Sequence, residues 1–432
     1  MVLALVIFAI FAAMAVLMYL NRLPALIALP LMAVAIACAA RLPWREVTDI
    51  VATGSLRLNA TYTVAILGAI LADIIAKTGL AETMIKKAAE LGGDNPLVLS
   101  LLLTGVVIVL FTTLGGLGAV IMVATIIFPI LLALGVPQRA VGGLFLLGMS
   151  TGGLLNPVNW QLYVDTLKLS KPTIYSFALP MVGLMVVATV VFAVVELRPS
   201  LRRRYWQSAT PAEKPVFAPW YAMLTPIVPL VPILGFAIYG RAHPARAYDF
   251  PILAAMLIGI AYGVLTASRP PQGRIQLLAR SAVDGLAAVA PAVVLMLGIG
   301  MLVTAVMHPT VQAQVQPVLS RILPSGPVSY VLVFSLLAPL ALYRGPFNLY
   351  GMGAGLAAMM AAAPGLGAPA VMAALMSVGQ LQGVCDPTNT HNVWIANYVG
   401  ADVQQLLRRT IVYVWPAAVV GLMVAALLFM RG

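Results

Sequence analysis

Asn156-Pro157-Val158-Asn159 and Asp386-Pro387-Thr388-Asn389 are one four-residue device written twice, offset by 230 residues. Each follows a glycine, Gly153 or Gly383, by three residues and interrupts a run apolar enough to read as helix. The same offset carries Gly68 onto Gly298, Gly115 onto Gly345, Met122 onto Met352, Ala124 onto Ala354, Ala133 onto Ala363 and Gly135 onto Gly365. Proline lacks an N–H and clashes with the turn before it, so an Xaa-Pro step stops a helix. The chain therefore duplicates a unit that contains a broken helix. Duplicated membrane units with broken helices are the plan of secondary carriers, whose site lies between the copies.

Composition makes the unit a membrane unit. Of 432 residues, 62% are hydrophobic and 9% charged, against about a quarter charged in soluble domains. Apolar runs at 2–20, 24–40, 61–76, 175–197, 218–239, 250–267 and 411–430 approach or reach the length that crosses a hydrocarbon core. The first lacks a basic flank and a cleavage site, so it reads as a span and not as a signal peptide. Net charge is +12, but the basic residues sit in short loops, where they set topology; no nucleic-acid partner is expected. Cys38 and Cys385 offer no disulfide framework. The expected class is an all-α polytopic membrane protein of the bacterial inner (cytoplasmic) membrane, with the bilayer as its surroundings.

Residues 198–217 form the most polar stretch and divide the chain. The first repeat, 1–197, and the second, 218–432, share one order. Two spans come first, then a long helix (61–76; 285–304), a re-entrant hairpin (about 96–136; about 325–366), a broken helix (about 139–170; about 368–400) and a last span. Five crossings per copy make the repeats inverted in topology. With 198–217 on the cytoplasmic side as a linker, most of the 25 lysines and arginines fall on that side, as the positive-inside bias requires; the arginine-bearing segment 41–60 then lies outside. Segment 77–93, with Lys86, Lys87 and Glu90, and segment 308–322 read as amphipathic arms along the interface.

The hairpin tips read Thr112-Thr113-Leu114-Gly115-Gly116 and Tyr343-Arg344-Gly345-Pro346-Phe347-Asn348. Irregular backbone at membrane depth survives only where protein or a water-filled cavity satisfies it, so both tips and both breaks are expected to line one cavity. Two ordinary spans joined at the surface would satisfy the charge pattern equally well. An arginine at mid-membrane is costly unless paired or hydrated, and a guanidinium matches a carboxylate bidentately. Arg344 is thus the first candidate ligand for an anionic substrate, against the alternative of snorkelling to headgroups. Asp386 sits where broken helix ends leave backbone groups unpaired. It is a candidate for a coupling ion, sodium or proton, or simply the cap of a helix beginning near Thr390.

Amide and hydroxyl oxygens of Asn156, Asn159, Thr388, Asn389 and Thr390 suit a hard cation or substrate oxygens. Asn348, Thr112, Thr113, Gly115 and Gly345 at the tips complete the candidate substrate set, and His391 joins Asp386, Thr388, Asn389 and Asn156 in the candidate coupling-ion set. No cofactor beyond that ion is expected, and no metal beyond a sodium. Asp73 and Lys77 are one turn apart and positioned to pair.

The run Thr151-Gly152-Gly153-Leu154-Leu155-Asn156-Pro157 resembles the loop in the broken helix of the ion transporter superfamily. Leu67-Gly68 through Lys77-Thr78-Gly79-Leu80-Ala81-Glu82 resembles the third span of its gluconate and citrate carriers. That superfamily includes divalent-anion/sodium symporters, citrate, gluconate and C4-dicarboxylate carriers, and arsenite and sodium/proton antiporters. The resemblance implies an elevator-type carrier, commonly a homodimer, with two hairpins and two broken helices around an anionic substrate. The first functional reading is a symporter of a small carboxylate or related organic anion, driven by protons or sodium. The Ser-Asn-Thr triplet of the sodium-dependent dicarboxylate members is absent from both tips, which leaves Arg344 to supply the charge sodium otherwise brings. A sodium/proton or inorganic oxyanion antiporter using Asp386 is the competing reading. An intramembrane enzyme ranks below both, because neither HExxH nor a clustered His/Asp set occurs.

Overall fold

A computed structural model describes residues 2–20, 22–201, 218–246, 248–267, 273–343 and 345–430. Arg344 and most of the dividing segment, 202–217, lie outside them. All regular structure among the described residues is helical. The first half supplies α1 (Val2–Tyr19), α2 (Ala25–Ala39), α3 (Trp44–Leu56), α4 (Asn59–Lys77), α5 (Leu80–Gly92), α6 (Pro96–Phe111), α7 (Gly116–Ala133), α8 (Gln138–Gly153), α9 (Pro157–Leu167) and α10 (Lys171–Leu201). The second supplies α11 (Leu230–Ala242), α12 (Ile252–Thr266), α13 (Arg274–Val306), α14 (Pro309–Ile322), α15 (Pro327–Leu337), α16 (Met352–Ala362), α17 (Ala368–Cys385), α18 (Thr390–Val399) and α19 (Val403–Phe429).

The two halves match element for element once α3 and α4 together are set against α13. Their contacts match too. α4 packs on α13, α2 on α13 as α12 on α4, α8 on α17, and α10 on α19. Across the halves α9 meets α16, and α18 meets α7 in return. Contacts that exchange the halves in this way are what a pseudo-twofold axis produces. The equivalent glycines make the same kind of close approach: a Cβ at Gly68 would touch Met256 of α12, and one at Gly298 would press on Pro30 of α2. Among the described residues, six helices or helix pairs are long and apolar enough to span a bilayer, and up to eight when two bent pairs are counted. α1, α2, α6, α11, α12 and α16 are shorter apolar helices. The chain is a polytopic, all-helical membrane protein.

Helix pairs α6–α7 and α15–α16 flank the two tips, α8–α9 and α17–α18 flank the two Xaa-Pro steps, and segments 80–92 and 309–322 are helices. α5 starts after Gly79, whose φ of 66° is the left-handed conformation that ends α4. The α14–α15 junction bends by 99°, turning an amphipathic arm into a hairpin leg. Asp73 and Lys77 do pair, at 2.6 Å, and Asp284 of α13 joins them at 2.5 Å.

Three expectations are corrected. The long helix placed at 61–76 starts earlier: α3 occupies most of segment 41–60, and α3 with α4 forms a 34-residue span-length unit. Arg45, Glu46 and Asp49 hid this helix by breaking the apolar run. The run 218–239 is not one helix. It opens with a 3-10 turn at Trp220–Leu224 and becomes α-helical only at Leu230, because Pro219, Pro226 and Pro229 withhold the N–H groups a helix needs. The second hairpin also unwinds further than expected, through a 3-10 turn at Ala338–Ala341 and irregular backbone to Gly351.

Candidate functional site

In the first break, Asn156 holds two elements together. Its Oδ1 accepts from the Val158 N–H at 3.0 Å and caps α9. Its Nδ2 donates to the Phe111 and Leu114 carbonyls at 3.3 and 3.2 Å. Phe111 ends α6, where intrahelical partners run out, and Leu114 lies in the tip beyond it, so one side chain ties the first hairpin tip to the first break. Asn159 Nδ2 donates to the Gly153 carbonyl at 2.6 Å and the Trp160 indole to the Leu154 carbonyl at 2.7 Å. The freed carbonyls of α8 are thus answered within the break. The helix turns by 53° there.

The second break repeats the turn with a different residue. Asp386 Oδ1 accepts from the Thr388 N–H at 2.8 Å and from its hydroxyl at 2.7 Å, and the Asp386 carbonyl accepts from Asn392 Nδ2 at 2.9 Å. Asp386 is buried, 1% exposed. It does not cap the helix beginning at Thr390. The residue in that position is Asn389, whose side chain makes no capping bond; Asp386 closes the turn inside the break. α17 and α18 together still form one span-length unit, Ala368–Val399, without the sharp bend of the first copy.

The two broken helices cross at equivalent residues. Ser150 Oγ of α8 donates to Gln380 Oε1 of α17 at 2.8 Å, and these positions are 230 apart. Beside this crossing lies a cavity of about 170 Å³ lined by Ser150, Gly153, Leu154, Asn159 and Tyr163 from the first half. From the second half come Phe347–Tyr350 of the hairpin tip and residues of α17 between Leu375 and Gly383. The Tyr350 hydroxyl donates to Asn159 Oδ1, joining tip and break across the cavity. Gly345 is needed to shape this tip, since any Cβ there would strike the Leu340 carbonyl.

Of the candidate residues from sequence, Asn159 and Asn348 meet in this cavity. Asn156 stands behind its wall as a structural tie. Thr112 and Thr113 turn their hydroxyls to backbone carbonyls, Thr112 to Val109 and Pro226 at 2.7 and 3.0 Å, Thr113 to Leu110 at 3.5 Å. Gly115 is exposed and Gly345 half-buried. Asp386, Thr388 and Asn389 gather at the second break, outside the cavity lining, with Thr390 exposed and His391 half-buried on α18. One cavity does not collect both tips and both breaks; it takes the first break and the second tip. The sequence reading missed Tyr163, Gln380 and Gln382. Gln380 carried a usable signal, a polar residue at the 230 offset from Ser150 inside an apolar helix.

No family model and no curated protein matches this chain. Solved structures do. The YdaH transporter of Alcanivorax borkumensis has a TM-score of 0.63 at 16% identity, with 87% of this chain and 86% of that one covered. MtrF of Neisseria gonorrhoeae, described with a class of antimetabolite efflux pumps, has a TM-score of 0.54 at 12% identity, covering 89% and 84%. At such identities the likeness is one of fold. The chain has the fold of solved membrane transporters.

Proposed function

We propose that this protein is an ion-coupled secondary transporter that moves a small organic anion, a carboxylate, by alternating access. The observation that carries the reading is the cavity built jointly by the first break and the second hairpin tip, next to the Ser150–Gln380 crossing. A site shared between two repeats becomes accessible from either side when one set of elements moves against the other. Buried Asp386, in the turn of the second break, is the coupling group in this reading, taking a proton or a sodium ion. Arg344, in the second tip, is the countercharge for the substrate. An elevator-type motion and a homodimer belong to the same proposal.

Uptake of carboxylates into proteoliposomes under an imposed proton or sodium gradient tests it. Arg344→Ala is expected to abolish uptake and Arg344→Lys to retain a weakened fraction, since an ammonium keeps the charge without the planar fork. Uptake by Arg344→Ala at the unmodified rate overturns the anion site. The second reading, export by antiport, draws on the likeness to MtrF, described with efflux pumps. It predicts gradient-driven loss of a preloaded substrate against an inward proton gradient.

A further inference from the structure

The cavity's polar groups separate into those already spent on the protein and those left for a ligand. Ser150 and Gln380 bond to each other, and Gln380 Nε2 also donates to the Met376 carbonyl at 3.1 Å. Asn159 is spent at both ends, on the Gly153 carbonyl and the Tyr350 hydroxyl. Tyr163 and Asn348 differ. Both line the cavity and both are more than nine-tenths buried, 5% and 6% exposed. Among the described residues nothing accepts from the Tyr163 hydroxyl or from Asn348 Nδ2. Asn348 Oδ1 accepts from the Tyr350 N–H at 3.0 Å, which fixes the side chain with its two N–H bonds free to donate. Neither donor is among the described polar atoms sealed off without a partner; the two residues come from opposite repeats and line one space.

We propose that Tyr163 and Asn348 are a pair of hydrogen-bond donors that receive the acceptor oxygens of the substrate, its carboxylate or an equivalent oxygen-rich group. The pair sets specificity by refusal as well as attraction. A ligand that brings a donor to this place opposes the Asn348 N–H bonds and loses that contact, while the Tyr163 hydroxyl can turn to accept from it. Gln382, which also lines the cavity, carries donor and acceptor alike and so does not discriminate. The proposal rests on the transport reading for the kind of ligand, while its residues come from the cavity alone.

The test is binding to the detergent-purified full chain, followed by calorimetry. The probes are acetate, lactate, succinate and benzoate, each beside its neutral amide. Tyr163→Phe removes one oxygen atom and Asn348→Asp exchanges an amide for a carboxylate of equal size, so neither alters the shape of the cavity. The expected result is a carboxylate that binds, about tenfold weaker affinity in Tyr163→Phe, since a hydrogen bond to a charged group contributes about that factor or more, and no measurable binding in Asn348→Asp. Binding of a carboxylate with unchanged affinity in both variants overturns the donor pair and leaves the transport reading standing. Binding of amides alone, weakened in Tyr163→Phe, upholds the pair and overturns the anion. Failure of every probe to bind the unmodified protein overturns both.

Discussion

Asn156 and Asp386 occupy equivalent places and close the same turn, each accepting from the N–H two residues on, at 3.0 and 2.8 Å. The first copy spends its amide on the carbonyls of Phe111, which ends α6, and of Leu114 in the tip. The second holds a buried carboxylate at the matching position. An asparagine side chain can accept the same Thr388 bonds through its Oδ1, so Asp386→Asn preserves the turn while removing the charge. That makes it a clean test of coupling. Substrate exchange across the membrane is expected to persist while accumulation against a gradient is lost. Gradient-driven accumulation at the unmodified level in Asp386→Asn contradicts a coupling role.

At the scale of elements, what was legible in the sequence was whatever the repeat wrote twice. Helices end and restart at the Asn-Pro and Asp-Pro steps, and separate helices flank the tips Thr112–Gly116 and Tyr343–Asn348. What escaped was set by contacts between elements. α3 carries three charged residues in its first two turns and was readable as helix only by its packing on α13. A Cβ at Gly300 of α13 would strike the Gly54 carbonyl of α3, the backbone-to-backbone approach that small residues permit between membrane helices. Gly300→Val is therefore expected to push the pair apart and destabilise the protein by about 1–3 kcal/mol, lowering the midpoint of thermal unfolding in detergent. Gly118→Ala, where an added Cβ meets nothing within 4 Å, is the comparison expected to leave the midpoint in place or raise it. Equal midpoints for Gly300→Val and the unmodified protein contradict the close packing. The candidate site followed the same division. Asn159 and Asn348 could be named from the breaks and tips, whereas Tyr163 and Gln382 lie on helices whose inward face only the partner repeat reveals.

For the whole molecule, the central claim is that two repeats meet through their broken helices and hold the transport site between them. Two observations already point this way. Ser150 and Gln380 are equivalent residues bonded to each other, and the cavity beside them takes its wall from both halves. The asymmetry matters as much as the symmetry: one break bends by 53° and lines the cavity, while the other stays within a single span-length unit and carries the buried carboxylate. Substrate and coupling ion would then occupy different copies of one device. The crossing can be interrogated directly, because a Cβ at Gly383 would lie 3.5 Å from Ser150 Cβ, at the short end of disulfide geometry. With Cys38 and Cys385 replaced by alanine, Ser150→Cys and Gly383→Cys are expected to form a crosslink under mild oxidation in membranes. That crosslink is expected to arrest transport until a reductant is added. Two thiols that stay free and fully alkylatable under oxidation, with transport unaltered, would contradict the account.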